Sequence, residues 1–436
     1  MATLSRSSVL PTLCASFILL NLGQFARAAD LAPAKPPPSW WDTFAVTGAV
    51  EAGITINPAD PANGLNFGHL FTDKANSLLL NQALLTIQRP IDPTSKDYDF
   101  GFKIQGMYGS DARYTHFLGE LDYAINDRYQ LDVVEANVQV HLPWLFSGGI
   151  DVKAGQYVTL EGAEVIPAGD NLLYSHSYIF NFGIPFKLTG ITAVAHVIPE
   201  VDIYAGVNTG VNTTFGNGQG DNNGGAGFEG GIGLNLLGGN LTVLAITNIG
   251  PQNADTPVGI AACGGCNPNS TLRFLNDMVV IWKATDKLIF TTDVNYIHDD
   301  AAGGLDGYGI AQYAAYAIND WLKIVGRAEV WRDNNNFFVS SLGAPGNFNF
   351  ANAQHGFPFN GGFPVAGAFA PAPTTYLELT LGLNISAPAI PEAPFLKSIT
   401  VRPEIRYDSS LNSTTPFDVG TKSSQLTFGG DIIVKF

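Results

Sequence analysis

Sixteen short segments in which apolar and polar residues alternate run along the chain, and this pattern limits its fold more than any other feature. A period of two is typical of a β-strand with one apolar and one polar face. In segment 396–409, Val401 and Ile405 lie on one face, and Arg402 and Glu404 lie on the other. Repeated ionic residues on one face suit a wall between lipid and an aqueous lumen. The predicted segments are 44–56, 78–89, 97–110, 129–142, 149–160, 187–198, 200–213, 225–237, 239–249, 271–284, 286–299, 306–318, 320–333, 373–386, 396–409 and 422–436.

The connections between these segments alternate in length. Those after odd-numbered segments are mostly long, and those after even-numbered segments are mostly tight turns. Bacterial outer-membrane barrels have an even number of strands, short periplasmic turns and long extracellular loops. We therefore predict an all-β fold over residues 42–436: a transmembrane, antiparallel, up-and-down β-barrel of about 16 strands. Secreted β-solenoids and large sandwiches are the competing class. The longest connections are 57–77, 111–128, 161–186, 250–270 and 334–372.

The amino terminus has the pattern of a secretory signal peptide. Arg6 gives a thin positive region, residues 9–22 are largely apolar, and Ala26-Arg27-Ala28 fits the small-x-small cleavage site. A transmembrane anchor is the alternative, but the apolar run is short and interrupted. We expect residues 1–28 to be removed during export. Residues 29–41 would then form a proline-rich periplasmic segment.

The mature chain is acidic. Removal of residues 1–28 takes away Arg6 and Arg27, which leaves 20 basic residues against 38 acidic ones and a net charge of −18. Such a chain is a poor candidate for binding nucleic acid. No later apolar run approaches the ~20 residues that a membrane helix needs. Because Gly (48) and Phe (28) are nevertheless abundant, the composition favours a membrane β-barrel with outward-facing apolar residues.

The carboxyl terminus is a short alternating strand that ends in an aromatic residue. Ile432, Val434 and Phe436 point one way, and the residues between them point the other. Termini of soluble proteins are usually frayed and polar, and nothing there requires a large apolar ring. A terminal aromatic residue of this kind looks like the signal that the outer-membrane assembly machinery reads. We assign that role to Phe436.

The third long connection, residues 161–186, carries the most specific motif. A Glu-Gly-Ala-Glu segment begins at Glu161, and Tyr174-Ser-His-Ser-Tyr-Ile-Phe-Asn-Phe-Gly-Ile-Pro-Phe186 follows it. In this run, in the proline-rich leader and in the terminal strand, the sequence resembles the OmpL-like family of β-barrel porins of the bacterial outer membrane. The resemblance covers essentially the whole mature chain. It implies a porin-type diffusion channel whose third loop folds into the barrel and narrows it.

A 16-stranded barrel leaves a wide channel, so selectivity requires a constriction with charged side chains. We predict that Glu161, Glu164 and Asp170 of the third loop form its acidic side. Lumen-facing bases would form the other side, and separated patches of opposite sign would create a transverse field. The alternative is that the three acids are simply solvated on an external loop. The predicted bases are Lys103, Lys153, Lys323, Arg327, Arg402 and Arg406.

The cysteines and histidines give little sign of chemistry. Cys263-Gly-Gly-Cys266 has the spacing of a redox pair or half a zinc site, but the nearest histidine is thirty-two residues away. We expect a disulfide in an extracellular loop. His176 lies between Ser175 and Ser177, whose side chains point away from it on an extended strand. We therefore expect no catalytic residue, no metal and no cofactor, and no enzyme.

The sequence thus predicts an outer-membrane porin of a Gram-negative bacterium, a water-filled channel for passive diffusion of small hydrophilic solutes and ions, with a modest cation preference. A solute-specific channel is the second candidate, with Tyr157, Trp331 and Tyr376 as a stacking track. A structural or adhesive barrel without an open pore is the third, with loop 334–372 as its binding surface. The expected partners are the lipid bilayer and its lipopolysaccharide, the assembly machinery, small hydrophilic solutes and, by resemblance to other porins, further copies in a homotrimer.

Overall fold

Each alternating segment pairs with its neighbours in the sequence, and together they form a closed antiparallel β-barrel, which confirms the predicted fold class. The structure is a computed structural model that describes residues 40–117, 120–121, 128–215, 221–339, 372–387 and 395–436. β1 closes the barrel by pairing with β16, where Ala49 faces Lys435. The strands are β1 (Ala45–Ile56), β2 (Leu78–Arg89), β3 (Asp99–Gly109), β4 (Gln130–Leu142), β5 (Ile150–Val158), β6 (Lys187–Ile198), β7 (Val201–Asn208), β8 (Gly227–Leu236), β9 (Leu241–Pro251), β10 (Leu272–Lys283), β11 (Leu288–Asp299), β12 (Leu305–Ala317), β13 (Leu322–Asp333), β14 (Thr374–Ala387), β15 (Ser398–Ser410) and β16 (Ser424–Lys435).

All sixteen predicted segments are strands, and β7 is the one whose length differs most from the prediction. The prediction extends it to residue 213, but it ends at Asn208. Beyond Asn208 the chain turns, and Gly210 and Asn212 adopt φ values of 125° and 55°, outside the extended region. The side-chain oxygen of Asn212 then accepts hydrogen bonds from the backbone N–H groups of Phe186 and Lys187. A local turn therefore outweighs the alternating pattern here.

The alternation also determines which side chains face the lumen. On β15, Val401 and Ile405 are 41% and 40% exposed on the outer wall, whereas Arg402 and Arg406 are each 1% exposed inside the barrel. Aromatic residues lie on the outer wall at both ends of the apolar band, where interfacial rings are expected in lipid. The exposed aromatic residues of this girdle include Tyr108, Trp282, Tyr296, Trp321 and Tyr407.

The remaining regular structure consists of short helical turns in the connections. Among the described residues, none of the helices has the length and apolar character to cross a lipid bilayer. The 3₁₀ turns are Trp40–Thr43, Ala168–Asp170, Leu237–Gly239 and Ala301–Gly303, the π-helical turn is Ile179–Gly183, and the α-helical turns are Ala112–Thr115, Pro257–Ala262 and Phe417–Gly420.

The main hydrophobic core lies inside the barrel. Phe67 and Phe71 of the first connection pack there with Phe180 of the third connection, and Trp331 and Tyr376 of the wall belong to the same cluster. A buried position for the first connection, 57–77, does not follow from the strand pattern, which only marks it as a long loop. The signal peptide 1–28, nearly all of the segment 29–41 and most of loop 334–372 lie outside the described residues.

Candidate functional site

Residues 161–186, called the inner loop from here on, enter the barrel between β5 and β6. Backbone N–H groups of the inner loop donate hydrogen bonds to carboxylates on the lumen side of the wall. Backbone groups inside a barrel must find such partners because the loop has no ladder of its own. The pairs are Gly162 to Asp277 (2.7 Å), Ala163 to Asp293 (2.8 Å), Tyr174 and Ser175 to Glu404 (2.9 and 3.0 Å), and Tyr178 and Ile179 to Glu329 (2.6 and 2.8 Å).

Three arginines of the wall bind the carbonyl groups of the inner loop. Arg327 lies on β13, and Arg402 and Arg406 lie on β15; all three side chains are buried. Each also has an acidic partner on the wall, so each guanidinium joins the wall to the loop. The carbonyl contacts are Arg327 to Ser175 (2.7 Å), Arg402 to Ala168 and Asn171 (2.9 and 2.7 Å), and Arg406 to His176 (2.6 Å). The acidic partners are Glu378, Asp431 and Asp408, respectively.

Aromatic side chains pack the inner loop against the same wall. Tyr178 stacks on Tyr376 with ring centroids 4.8 Å apart. Tyr157, Trp331 and Tyr376, the predicted stacking track, are each at most 1% exposed. Trp331 and Tyr376 therefore pack in the barrel core, and all three rings are too buried to line a solvent-filled track.

The three predicted constriction acids lie in three different environments. Glu164 is buried and contacts Arg327 at 2.7 Å. Asp170 is partly exposed and contacts Lys435 at 2.9 Å. Glu161 is 2% exposed, and neither of its carboxyl oxygens has a hydrogen-bond partner. All three are thus inside the barrel, and Glu161 alone lacks a polar contact for its carboxyl group.

These environments give Glu161 and Glu164 opposite acidities. Burial raises the pKa of Glu161 well above its ordinary value, and the charge of Asp277 adds to the effect. Burial acts on Glu164 in the same direction, but Arg327 and His176 outweigh it and lower the pKa of Glu164 to about 2. Glu164 is therefore ionised at neutral pH, whereas Glu161 favours its protonated form.

The predicted lysines do not contact the inner loop in the way the arginines do. The ammonium of Lys103 lies 2.5 Å from Glu135 of β4. That of Lys153 lies 5.9 Å from the ring centre of Tyr157. Lys323 is partly exposed near the start of β13. The sequence placed all six bases on one side of the constriction, but the structure separates the loop-binding arginines from the lysines.

The arrangement differs from the expected pair of charged patches facing each other across water. Glu164 and Arg327 are in direct contact, so their charges largely cancel instead of creating a field across a gap. The physical reason is the backbone of the inner loop, whose buried carbonyl groups require donors. An arginine supplies several donors in a fixed geometry, so one guanidinium can bind a loop carbonyl group and a wall carboxylate at the same time.

Sequence reasoning missed the wall carboxylates that hold the inner loop. The alternation of their strands turns Glu329, Glu404 and Asp293 toward the lumen, but nothing in the pattern marks them or Asp277 as loop ligands. One signal could have found them. Residues 178–186 are largely apolar and do not alternate, which indicates a buried loop whose N–H groups need acceptors on the wall.

Cys263 and Cys266 form a disulfide just after the helical turn Pro257–Ala262, with their Cα atoms 5.6 Å apart. Gly264 and Gly265 between them adopt φ values of 76° and 81°, which favour glycine. Within the described part of the chain, no group of three or more His, Cys, Asp or Glu side chains is arranged to hold a metal ion.

We expect acid to weaken the barrel as Glu164 titrates. Its carboxyl has a pKa of about 2 in the folded protein against an ordinary value of 4.5. The contacts of ionised Glu164 with Arg327 and His176 therefore stabilise the fold fully above about pH 4.5, and this contribution is lost as the pH falls through about 2. The contribution is on the order of 3 kcal/mol. Thermal unfolding of the detergent-solubilised protein and of Glu164→Gln from about pH 6 to about pH 2 measures it. The gap between the two midpoints should shrink as the pH falls; a constant gap would contradict this assignment.

A closed sixteen-stranded antiparallel barrel, with a loop bound inside it and ionic residues along its inner wall, defines the porin class of outer-membrane proteins. The chain belongs to the family described as "Putative beta-barrel porin-2, OmpL-like", whose pattern matches residues 43–436. The family resemblance seen in the sequence is thereby confirmed. The protein is a porin of the bacterial outer membrane, consistent with passive diffusion through a channel.

Solved porin structures share this fold. OprB of Pseudomonas putida has a TM-score of 0.53 at 14% identity, covering 90% of this chain and 94% of that chain. The anion-selective porin from Comamonas acidovorans has a TM-score of 0.52 at 10% identity, with 90% and 98% covered. OmpF of Salmonella typhi, in complex with daunomycin, has a TM-score of 0.51 at 8% identity, with 90% and 97% covered. At these identities the likeness shows the fold alone. No curated protein matches the sequence.

Proposed function

We propose that the protein is a diffusion channel for small hydrophilic solutes in which the inner loop is the constriction. The proposal rests on the hydrogen bonds that hold the inner loop against the lumen wall. Carboxylates bind its N–H groups and arginines bind its carbonyl groups on both sides of Ser175. A loop held at so many points narrows the lumen permanently, and it selects solutes by size without a conformational change. No chemical step is part of this function.

We further propose a modest preference for cations. The inner loop contains Glu161, Glu164 and Asp170 but no lysine or arginine. Acidic groups along a narrow passage favour cations. The wall arginines do not reverse the preference, because each is already paired with a carboxylate of the wall.

Ion selectivity tests this role of the inner loop. Replacing Glu161, Glu164 and Asp170 together by their amides should lower the permeability of K⁺ relative to Cl⁻, because it removes the negative charges of Glu164 and Asp170 that offset Arg327 and Lys435. The reversal potential in a planar bilayer under a KCl gradient measures the ratio. Glu200→Gln, in an exposed turn between β6 and β7, is the control and should leave the ratio unchanged. An unchanged ratio in the triple variant would contradict the proposal that the inner loop forms the constriction.

Export, assembly and oligomeric state belong to the same proposal. Residues 1–28 act as a signal peptide that is cleaved after Ala28, and the protein functions as a homotrimer in contact with lipid and lipopolysaccharide. Phe436 serves as the recognition residue for assembly. In support of that role, the backbone N–H and C=O of Phe436 pair with Gly48 of β1 at 2.9 and 2.8 Å, so Phe436 lies at the seam where the barrel closes.

A further inference from the structure

A cluster of acidic and amide side chains lies where the inner loop begins. It is called the acidic cluster here, and it occupies the lumen side of β8 to β11. Strand pairing places its wall members side by side, with Glu229 opposite Asn248 and Asp277 opposite Asn295. The cluster consists of Glu161 of the inner loop, Glu229 of β8, Asn248 of β9, Asp277 of β10, and Asp293 and Asn295 of β11.

Most of the oxygens in the acidic cluster have no hydrogen-bond partner. Both carboxyl oxygens of Glu161 lack one, and so does the entire amide of Asn248, which is fully buried. One oxygen each of Glu229, Asp293 and Asn295 is in the same position. Buried polar groups are nearly always paired, and each unpaired one calls for an explanation. So many unpaired acceptors in one place point to a ligand that accepts electron pairs from oxygen.

The acidic cluster brings many carboxyl groups close together. It contains four carboxyl groups, and those of Asp277 and Asp293 are close enough to interact directly. Glu329 adds a further acid beside Asp293. Lys153 is a positive group that acts on Glu229. Arg327 does not neutralise the cluster, because its guanidinium is bound to Glu164 and Glu378. Protons or a bound cation must therefore balance these carboxyl groups.

The donor set narrows the class of cation. Every unpaired acceptor is an oxygen of a carboxylate or an amide, which suits hard cations and not those that prefer nitrogen or sulfur. The carboxylates do not converge three at a time on one point in the described part of the chain. This arrangement excludes a compact site with three or more directly bound carboxylates. It fits a cation that binds through one or two carboxylates and keeps several of its waters, as Mg²⁺ does and as Ca²⁺ can.

We propose that the acidic cluster binds a hydrated divalent cation of the Mg²⁺ or Ca²⁺ type. The cation contacts the unpaired oxygens of Glu161 and Glu229 and reaches Asp277 and Asp293 through its waters, close to the point where Gly162 and Ala163 donate to the wall. It therefore fixes the start of the inner loop to β10 and β11. The role of the cation in holding the constriction in place rests on the proposed channel function. The binding of the cation itself does not.

Isothermal titration calorimetry tests the inference. The full chain, purified in detergent and treated with a chelator, is titrated with MgCl₂ and with CaCl₂ at about pH 8. The wild type should show one saturable site for at least one of the two ions. Glu161→Gln and Glu229→Gln should each weaken binding by roughly tenfold or more, a typical loss when a metal site is altered. Glu200→Gln, at an exposed acid in the turn between β6 and β7, is the matched control and should bind as the wild type does.

The outcomes separate this inference from the proposed function. Folding of each variant is checked first by resistance to unfolding in sodium dodecyl sulfate, so a weak titration cannot be attributed to misfolding. No saturable binding of either ion by the folded wild type, or equal binding by all folded variants, would overturn the cation site. If no ion binds but the channel conducts normally, only this inference fails. If an ion binds but liposomes do not swell in small sugars, the proposed channel function fails instead.

Discussion

Replacing Arg402 with methionine is expected to destabilise the barrel and to release the inner loop at the same time. Arg402 is 1% exposed, and it joins Asp431 and Glu51 of the wall to the carbonyl oxygens of Ala168 and Asn171. Removing one partner of a buried ion pair costs roughly 3–5 kcal/mol, because the charge left behind is uncompensated. We expect a lower unfolding midpoint in denaturant and a higher single-channel conductance.

Two further variants separate the causes. Arg402→Met combined with Asp431→Asn removes the uncompensated carboxylate but leaves the loop contact broken. It should recover part of the stability and none of the original conductance. Arg332→Met is the matched control, because Arg332 lies on the outer wall and bonds Asn334 and the carbonyl of Pro373. If Arg402→Met behaves like Arg332→Met, the inner loop does not depend on this arginine.

The strands could be predicted from sequence because each residue of a barrel wall faces one of two contrasting media. On β13, Arg327 and Glu329 face the interior, and Ile324 and Val330 are exposed on the outer wall, as the alternation indicates. This information is local, since it depends on the residue itself and on its neighbours two positions away. The pairing of strands then follows from sequence order alone. The fold was therefore accessible without any knowledge of contacts.

The inner loop was only partly accessible, because its contacts join residues far apart in the chain. Arg402 and Asn171 are separated by 231 residues, and no periodic pattern relates them. The sequence showed that residues 161–186 carry acids and that Arg402 faces the lumen. It did not show that the arginine binds backbone carbonyl groups instead of facing acids across water. The inward position of Phe67 and Phe71 in the first connection was missed for the same reason.

Placing an arginine at the middle of the outer wall should destabilise the protein in lipid by roughly 2–4 kcal/mol, the cost of that side chain at the bilayer midplane. Leu381 is the best position, because it lies midway along β14, is 57% exposed and is opposite Gly326 and Ile405 of the neighbouring strands. Leu381→Met is the control, since a swap that preserves volume and apolar character usually costs less than about 1.5 kcal/mol. Guanidinium unfolding of both variants in phospholipid vesicles gives the two free energies. Equal costs would mean that this wall does not face hydrocarbon, and the outward apolar surface of the barrel would then need another explanation.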